Sequence, residues 1–192
     1  IYTSSDHSSI VSPVEACKEF GMKIVNIVPN EIGLLKVESI LKEINQNTKL
    51  ICFSYVNSET GTIQEVRKIV LAVKDYCKKN NWEAPKIFID ATQAVMYENI
   101  DVSTLMADGM SFSGSKIGSV PGCAVLYVRN GTKLRQIISG GGQEDGVRSG
   151  TENLPAIVSL AETLDMVCKP ETQKEKREQV YRLRNYCIEK LQ

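Results

Sequence analysis

Apolar residues along this chain follow two rhythms. Val66, Ile69, Val70, Val73 and Cys77 recur at three- and four-residue steps, which puts them on one face of a helix predicted over 64–79. Val37, Ile40, Leu41 and Ile44 do the same over 36–45. Helical spacing returns over 154–168 and over 173–191, the latter richly charged with Val180, Leu183, Cys187 and Leu191 along a stripe. Short apolar runs predict strands over 49–55, over 87–89 running into Asp90, over 109–112 and over 123–128. At the start, 1–5 reads as a strand end that delivers Asp6 and His7 to a loop. Ser12-Pro13 supplies an N-cap and a first-position proline for a helix to about Phe20, Gly21 stops it, and a strand begins over 23–26.

Strands alternating with helices predict a three-layer αβα sandwich around a mostly parallel sheet. Between Asp90 and Gly109 there is room for one crossover connection, so those two strands should run parallel. Between Ser113 and Gly122 there is none, and the strand over 123–128 is therefore expected to be antiparallel, the one departure from a parallel sheet.

Size and composition change this picture little. A chain of 192 residues with 42% hydrophobic content is globular and large enough for a substantial core. Lys+Arg and Asp+Glu number 23 each, so no charge excess points to nucleic acid or to an anionic membrane. No apolar run reaches membrane-spanning length and no leader pattern opens the chain, hence the expectation of a cytoplasmic protein. The six cysteines are scattered without a Cys-x-x-Cys pair and read as reduced core residues, and a single histidine gives no metal-ligand pattern. The first residues enter directly on a strand and the last lie inside a helix with no stop signal, so the chain reads as a fragment.

Candidate chemistry gathers around 109–122, Gly-Met-Ser-Phe-Ser-Gly-Ser-Lys-Ile-Gly-Ser-Val-Pro-Gly. Lys116 stands there among small residues, where a desolvated amine could form a Schiff base with a carbonyl cofactor. Taken alone, the stretch reads more plainly as a surface lysine in a turn. A second stretch, Lys86-Ile-Phe-Ile-Asp-Ala-Thr-Gln93, ends a buried-type strand on Asp90. In an open parallel sheet the carboxyl ends of neighbouring strands meet at the ligand crevice, which would place Asp90, Gln93, Ser113, Ser115 and Lys116 around one pocket. An acid facing a pyridine nitrogen and a lysine facing an aldehyde are what pyridoxal phosphate chemistry needs. Asp90 by itself could equally be a helix cap.

Four strings in this order, Asp90-Ala-Thr-Gln93, Ser111-Phe-Ser-Gly-Ser-Lys116, Gly140-Gly-Gly-Gln-Glu144 and Arg148-Ser-Gly-Thr-Glu-Asn153, resemble the cysteine desulfurases of the NifS/IscS type, within the class V aminotransferase-like enzymes. The resemblance runs along the whole chain. It implies the large domain of the fold type I pyridoxal-phosphate transferases, with 1–168 forming a cofactor-binding large domain that lacks its N-terminal part and 169–192 a helix leading toward an absent small domain. By the same resemblance Lys116 bonds the cofactor and shuttles a proton, His7 stacks on the ring, Asp90 faces the pyridine nitrogen and Gln93 the phenolate oxygen. Ser113, Gly114 and Ser115 hold the phosphate, Ser58 lies beside cofactor or substrate, and Thr151 reaches the phosphate of a neighbouring subunit in a homodimer. The implied reaction takes sulfur from L-cysteine, leaving alanine, and passes it through an enzyme persulfide to an acceptor or an iron–sulfur scaffold protein.

Two positions depart from the family pattern. Ser115 stands where a histidine is usual, and Ser58 where an asparagine is. The sulfur-accepting cysteine and the substrate-carboxylate arginine would lie beyond this chain, which by itself is expected to be inactive. A related lyase or aminotransferase-like enzyme acting on another amino acid, such as selenocysteine, and a divergent, non-catalytic scaffold remain alternatives.

Overall fold

The computed structural model describes residues 1–192. Four strands form one sheet in the order β1 (Leu50–Ser54), β2 (Lys86–Asp90), β3 (Gly109–Ser113) and β4 (Ala124–Val128). β1, β2 and β3 are parallel, and β4 runs antiparallel to β3, as the missing crossover requires. Six helices accompany them: α1 (Ser8–Ala16), α2 (Val37–Glu43), α3 (Val66–Lys79), α4 (Val102–Leu105), α5 (Leu154–Val167) and α6 (Pro170–Leu191).

Side chains alternate across a pleated strand, so the register sorts the sheet into two faces. One carries Ile51, Phe53, Ile87, Ile89, Met110 and Phe112. These pack in one cluster with Val66, Ile69, Val70, Val73 and Cys77 of α3 and with Leu160 and Val167 of α5. Ile69, Val70 and Val73 are wholly enclosed, each contributing about 1.5–3 kcal/mol relative to exposure. The other face carries Cys52 and Phe88, which pack with Tyr2 and with Ile10, Val11 and Val14 of α1. Toward the carboxyl ends of the strands this second face turns polar: Ser54, Asp90, Ser111 and Ser113 all lie on it.

Beyond β1, the first residues extend the hydrogen-bonding pattern. Cys52 N donates to Ile1 O at 3.0 Å, and Tyr2 is paired on its other side, with Val25 O and Ile27 N. Tyr2 and Asn26 form a single parallel bridge there, not the regular strands expected over 1–5 and 23–26.

One further expectation needs correction, at the first helix. The first helix begins at Ser8, not at Ser12, because His7 rather than Ser12 provides the cap: its Nδ1 accepts the Ser9 amide at 3.1 Å, leaving Pro13 inside the helix. The crossover expected between parallel β2 and β3 is there, made mostly of turns with only the single turn of α4, capped by Asp101. The apolar stripe of α6 is present but exposed at Val180, Leu183, Cys187 and Leu191. That helix is fastened at its start instead. Gln173 Nε2 donates to Val95 O at 2.9 Å and to Glu98 O at 3.0 Å, and Arg177 Nη1 donates to Tyr97 O at 2.7 Å.

Candidate active site at the carboxyl ends of the strands

Asp90 ends β2, with Ser54 of β1 on one side and Ser111 of β3 on the other. Its Oδ1 accepts the Thr92 amide at 2.9 Å and so shapes the turn that follows; no helix starts there, so Asp90 is not the helix cap that the sequence leaves open. Oδ2 takes no hydrogen bond from the chain and remains available to a cationic partner. Gln93, three residues on, is half-buried in the turn that follows.

On the neighbouring strand, Ser113 ends β3 and a tight turn carries Gly114, Ser115 and Lys116. The hydroxyls of Ser113 and Ser115 lie 2.9 Å apart and offer two adjacent oxygen groups. Gly114 is fixed by contact. A Cβ at that position would lie 3.0 Å from Leu160 Cδ1 and 3.1 Å from Cys123 O, so a larger residue would have to shift the Leu160 side chain or lift the turn off α5. Lys116 itself is exposed, so enclosure does not supply the desolvation that would activate an amine.

His7 enters from the other side of β1. Its ring is exposed and is held by Ser9, through the amide and through the hydroxyl at 2.9 Å. Sequence reasoning did not assign roles to Asp6 and Asn57, which fasten this turn. Asp6 Oδ2 accepts the Ser54 amide at 3.1 Å, and Asn57 Nδ2 donates to Ser5 O at 2.7 Å. Asn57 Oδ1 also accepts from the amides of Glu59 and Thr60, which shapes the loop bearing exposed Ser58. Burial first, then the charge of nearby Asp90, pushes the Asp6 carboxyl above the usual range. The signal for Asp6 was available in the sequence, as an acid directly after a strand end and directly before the only histidine.

The structure thus gathers Asp90, Ser113, Ser115 and Lys116 on neighbouring strand ends, with His7 and Ser58 on loops flanking β1. Thr151 is not part of this group; it lies exposed just ahead of α5. The site is an open shelf. Hollows of about 600 and 520 Å³ occur elsewhere, one beside Tyr55 and the start of α3, the other between Cys17, Cys52 and Met22, and neither is lined by Asp90 or Lys116. A free carboxylate oxygen, a pair of hydroxyls over a glycine turn and a single amine form a donor set that fits pyridoxal phosphate.

Cys123 is the cysteine beside this shelf, half-buried just ahead of β4, with its carbonyl accepting the Gly114 amide at 3.1 Å. Cys52 and Cys77 are buried and Cys187 alone is fully exposed, on α6, so the expectation of six core thiols holds only in part. Burial pushes the Cys52 thiol up to about 11 and raises those of Cys77 and Cys168, which keeps them protonated.

Comparison with known proteins agrees with the four strings. The chain is 32% identical over 188 residues to the cysteine desulfurase IscS of Clostridium botulinum, covering 98% of this chain and 45% of that protein. It is 33% identical over 169 residues to cysteine desulfurase IscS 1 of Archaeoglobus fulgidus, covering 88% of this chain and 42% of that one. The chain therefore spans less than half the length of these curated relatives. A solved NifS-like protein superposes with a TM-score of 0.92 at 29% identity, over 99% of this chain and 50% of its own. SspA, solved in complex with cysteine, superposes with a TM-score of 0.78 at 28% identity, over 94% and 51%. The fold is that of the NifS-like fold type I proteins. The aminotransferase class-V family model matches residues 1–192, the whole length, and the chain belongs to that family.

Proposed function

We propose that this chain is the cofactor-binding part of a pyridoxal-phosphate-dependent cysteine desulfurase. The observation that carries the reading is that Asp90, with one carboxylate oxygen free, ends β2 while the Ser113–Ser115 hydroxyl pair, just ahead of Lys116, ends the neighbouring strand β3. Pyridoxal phosphate, when bound, supplies an electron sink for the carbon that carries an amino group. Asp90 would face the ring nitrogen, and Gln93 would donate to the ring oxygen. Ser113, Ser115 and the Gly114 turn would hold the phosphate, and His7 would lie against the ring. Lys116 would reach the aldehyde carbon and hold or move the α-proton. Ser58 would contact the cofactor or substrate across a water, having a shorter side chain than asparagine.

The proposed substrate is L-cysteine, whose sulfur passes to an enzyme thiol: the carbon–sulfur bond breaks, alanine leaves and a persulfide forms. That thiol is assigned to none of the six cysteines here and in this reading belongs to a part of the enzyme outside these residues. Residues 1–168 act in this reading as a large domain, and 169–192 lead toward a small domain. Thr151 completes the phosphate site of a second copy in a homodimer. The persulfide goes to a sulfur acceptor or an iron–sulfur scaffold, and the setting is cytoplasmic, in keeping with the lack of any helix long and apolar enough to cross a membrane.

Incubation with pyridoxal phosphate, borohydride reduction and peptide mapping test the reading. An adduct concentrated on Lys116 and lost in Lys116→Ala supports it, whereas labelling spread over surface lysines refutes it. The 192-residue chain alone is expected to bind weakly and to release no alanine. Ser58 and Ser115 favour a second, non-catalytic reading, which would gain if a full-length protein bound the cofactor without releasing sulfide from cysteine.

A further inference from the structure

At the outer edge of β1, successive amides on one side look for acceptors on the first residues of the chain. Cys52 N finds Ile1 O at 3.0 Å. The next amide in the same row is that of Ser54, and by parallel spacing it should meet the carbonyl of Thr3. That carbonyl is engaged elsewhere, because the chain turns there and Thr3 O accepts the Asp6 amide at 3.2 Å. Asp6 Oδ2 takes its place at 3.1 Å from Ser54 N. A side-chain carboxylate thus continues the ladder for one rung after the backbone has turned away. Without that carboxylate, the Ser54 amide would be left unpaired at a half-buried point.

We propose that Asp6 is a positioning residue of the candidate site, whose carboxylate clamps the His7 turn onto the carboxyl end of β1, across from Asp90. The inference rests on the cofactor reading of the shelf for its consequence but not for its geometry. Ser54 is the register partner of Asp90, so the anchored turn is set one strand away from the Asp90 carboxylate. Asn57 reinforces it through Ser5 O, and Thr3 Oγ1 lies 2.9 Å from Ser5 Oγ within the turn. His7 follows Asp6 directly and is tied forward to Ser9, so its ring has one rigid attachment behind and one ahead.

Asparagine at position 6 keeps an acceptor for Ser54 N and removes the charge, whereas alanine removes both. His7 is the only histidine, so its imidazole C–H signal in proton NMR needs no assignment. In the cofactor-free chain, Asp6→Ala should give that signal the relaxation of a mobile ring, and Asp6→Asn should leave it ordered. Pyridoxal phosphate affinity, followed by absorbance, should fall tenfold or more in Asp6→Ala and stay within threefold in Asp6→Asn. An unchanged His7 signal and affinity in Asp6→Ala would overturn the proposal, as would equal losses in both variants. If Asp6→Ala does not fold, Asp6→Asn decides alone: a mobile His7 ring there refutes the clamp, and an ordered one supports it. Should the wild-type chain bind no pyridoxal phosphate, the cofactor reading fails while the His7 signal still tests Asp6.

Discussion

Gln173→Ala is the substitution that most directly tests how α6 is held. In the native chain the Gln173 side chain is 7% exposed, and its amide donates to the carbonyls of Val95 and Glu98, which receive no other hydrogen bond. Alanine removes both donors and leaves two acceptors facing a small void. Stranding a buried acceptor costs about 1–3 kcal/mol, with Val95 O nearer the middle of that range and Glu98 O, which water can approach, at the bottom. Lost packing of the glutamine stem adds to this, and the better helix propensity of alanine returns only a few tenths. The expected loss is about 2–4 kcal/mol, or roughly 5–15 °C in melting temperature for a chain of this size. Urea unfolding supplies the free energy, and hydrogen exchange at Tyr97 and Glu98, whose amides both bond Ala94 O, supplies the location. Lys174→Ala, one residue on and exposed, is the control and should stay within about 0.5 kcal/mol. A Gln173→Ala protein as stable as wild type, with unchanged exchange over 94–98, would mean that α6 is not docked through this amide.

Three other outcomes follow from the same geometry. Gly114→Ala forces a Cβ to within 3.0 Å of Leu160 and 3.1 Å of the Cys123 carbonyl, so it should cost about 1–3 kcal/mol in urea unfolding and reduce pyridoxyl labelling of Lys116; wild-type stability would contradict the contact. Among the thiols, a disulfide-exchange reagent at pH 8 should label exposed Cys187 first and reach Cys52 and Cys77 only with denaturant, and fast native labelling of Cys52, whose thiol burial pushes up to about 11, would refute its enclosure. Asp101 caps α4, and hydrogen bonds from the Ser103 and Thr104 hydroxyls and the Ser103 amide pull its carboxyl down to about 2, below its value in an unfolded chain. A lowered carboxyl stabilises above its unfolded pKa and loses that contribution as pH falls through the folded one, so Asp101→Asn should flatten the fall in melting temperature between about pH 4 and pH 2; identical slopes would sink the assignment.

What the sequence made legible, and what it hid, has a physical pattern. α3 and β2 were readable because their burial is complete on one side, so apolar spacing alone carries the signal. The antiparallel β4 followed from chain length, since nine or so residues cannot hold a crossover. α1 was misplaced because its opening, His-Ser-Ser, looks like a loop, while Ser12-Pro13 imitates a helix start that the fold does not use. The cap depends on where the His7 ring points, which no spacing reveals. Asp90, the serine pair and Lys116 were found because they fall within short local strings. Gln173 was not, because a glutamine on a charged helix is unremarkable until the turn after β2 is folded against it.

The strand ends show why the polar shelf forms here rather than elsewhere on the sheet. Period-two alternation that buries Ile87 and Ile89 necessarily sends Phe88 and Asp90 to the other face. On that face α1 covers only the middle of the strands, through Cys52 and Phe88, so the last residue of each strand meets solvent or a loop and not a helix. Ser54, Asp90 and Ser113 are therefore the residues that polarity can occupy without cost to the core, and parallel pairing brings their ends together. Apolar side chains substituted there would leave the larger core intact and remove only the shelf. The separation is what makes Asp90→Ala informative: stability should change by little more than the loss of the turn hydrogen bond to Thr92, about 1 kcal/mol, while cofactor labelling at Lys116 should be lost. A collapse in stability without loss of labelling would place Asp90 in the scaffold and leave the amine without its opposing charge.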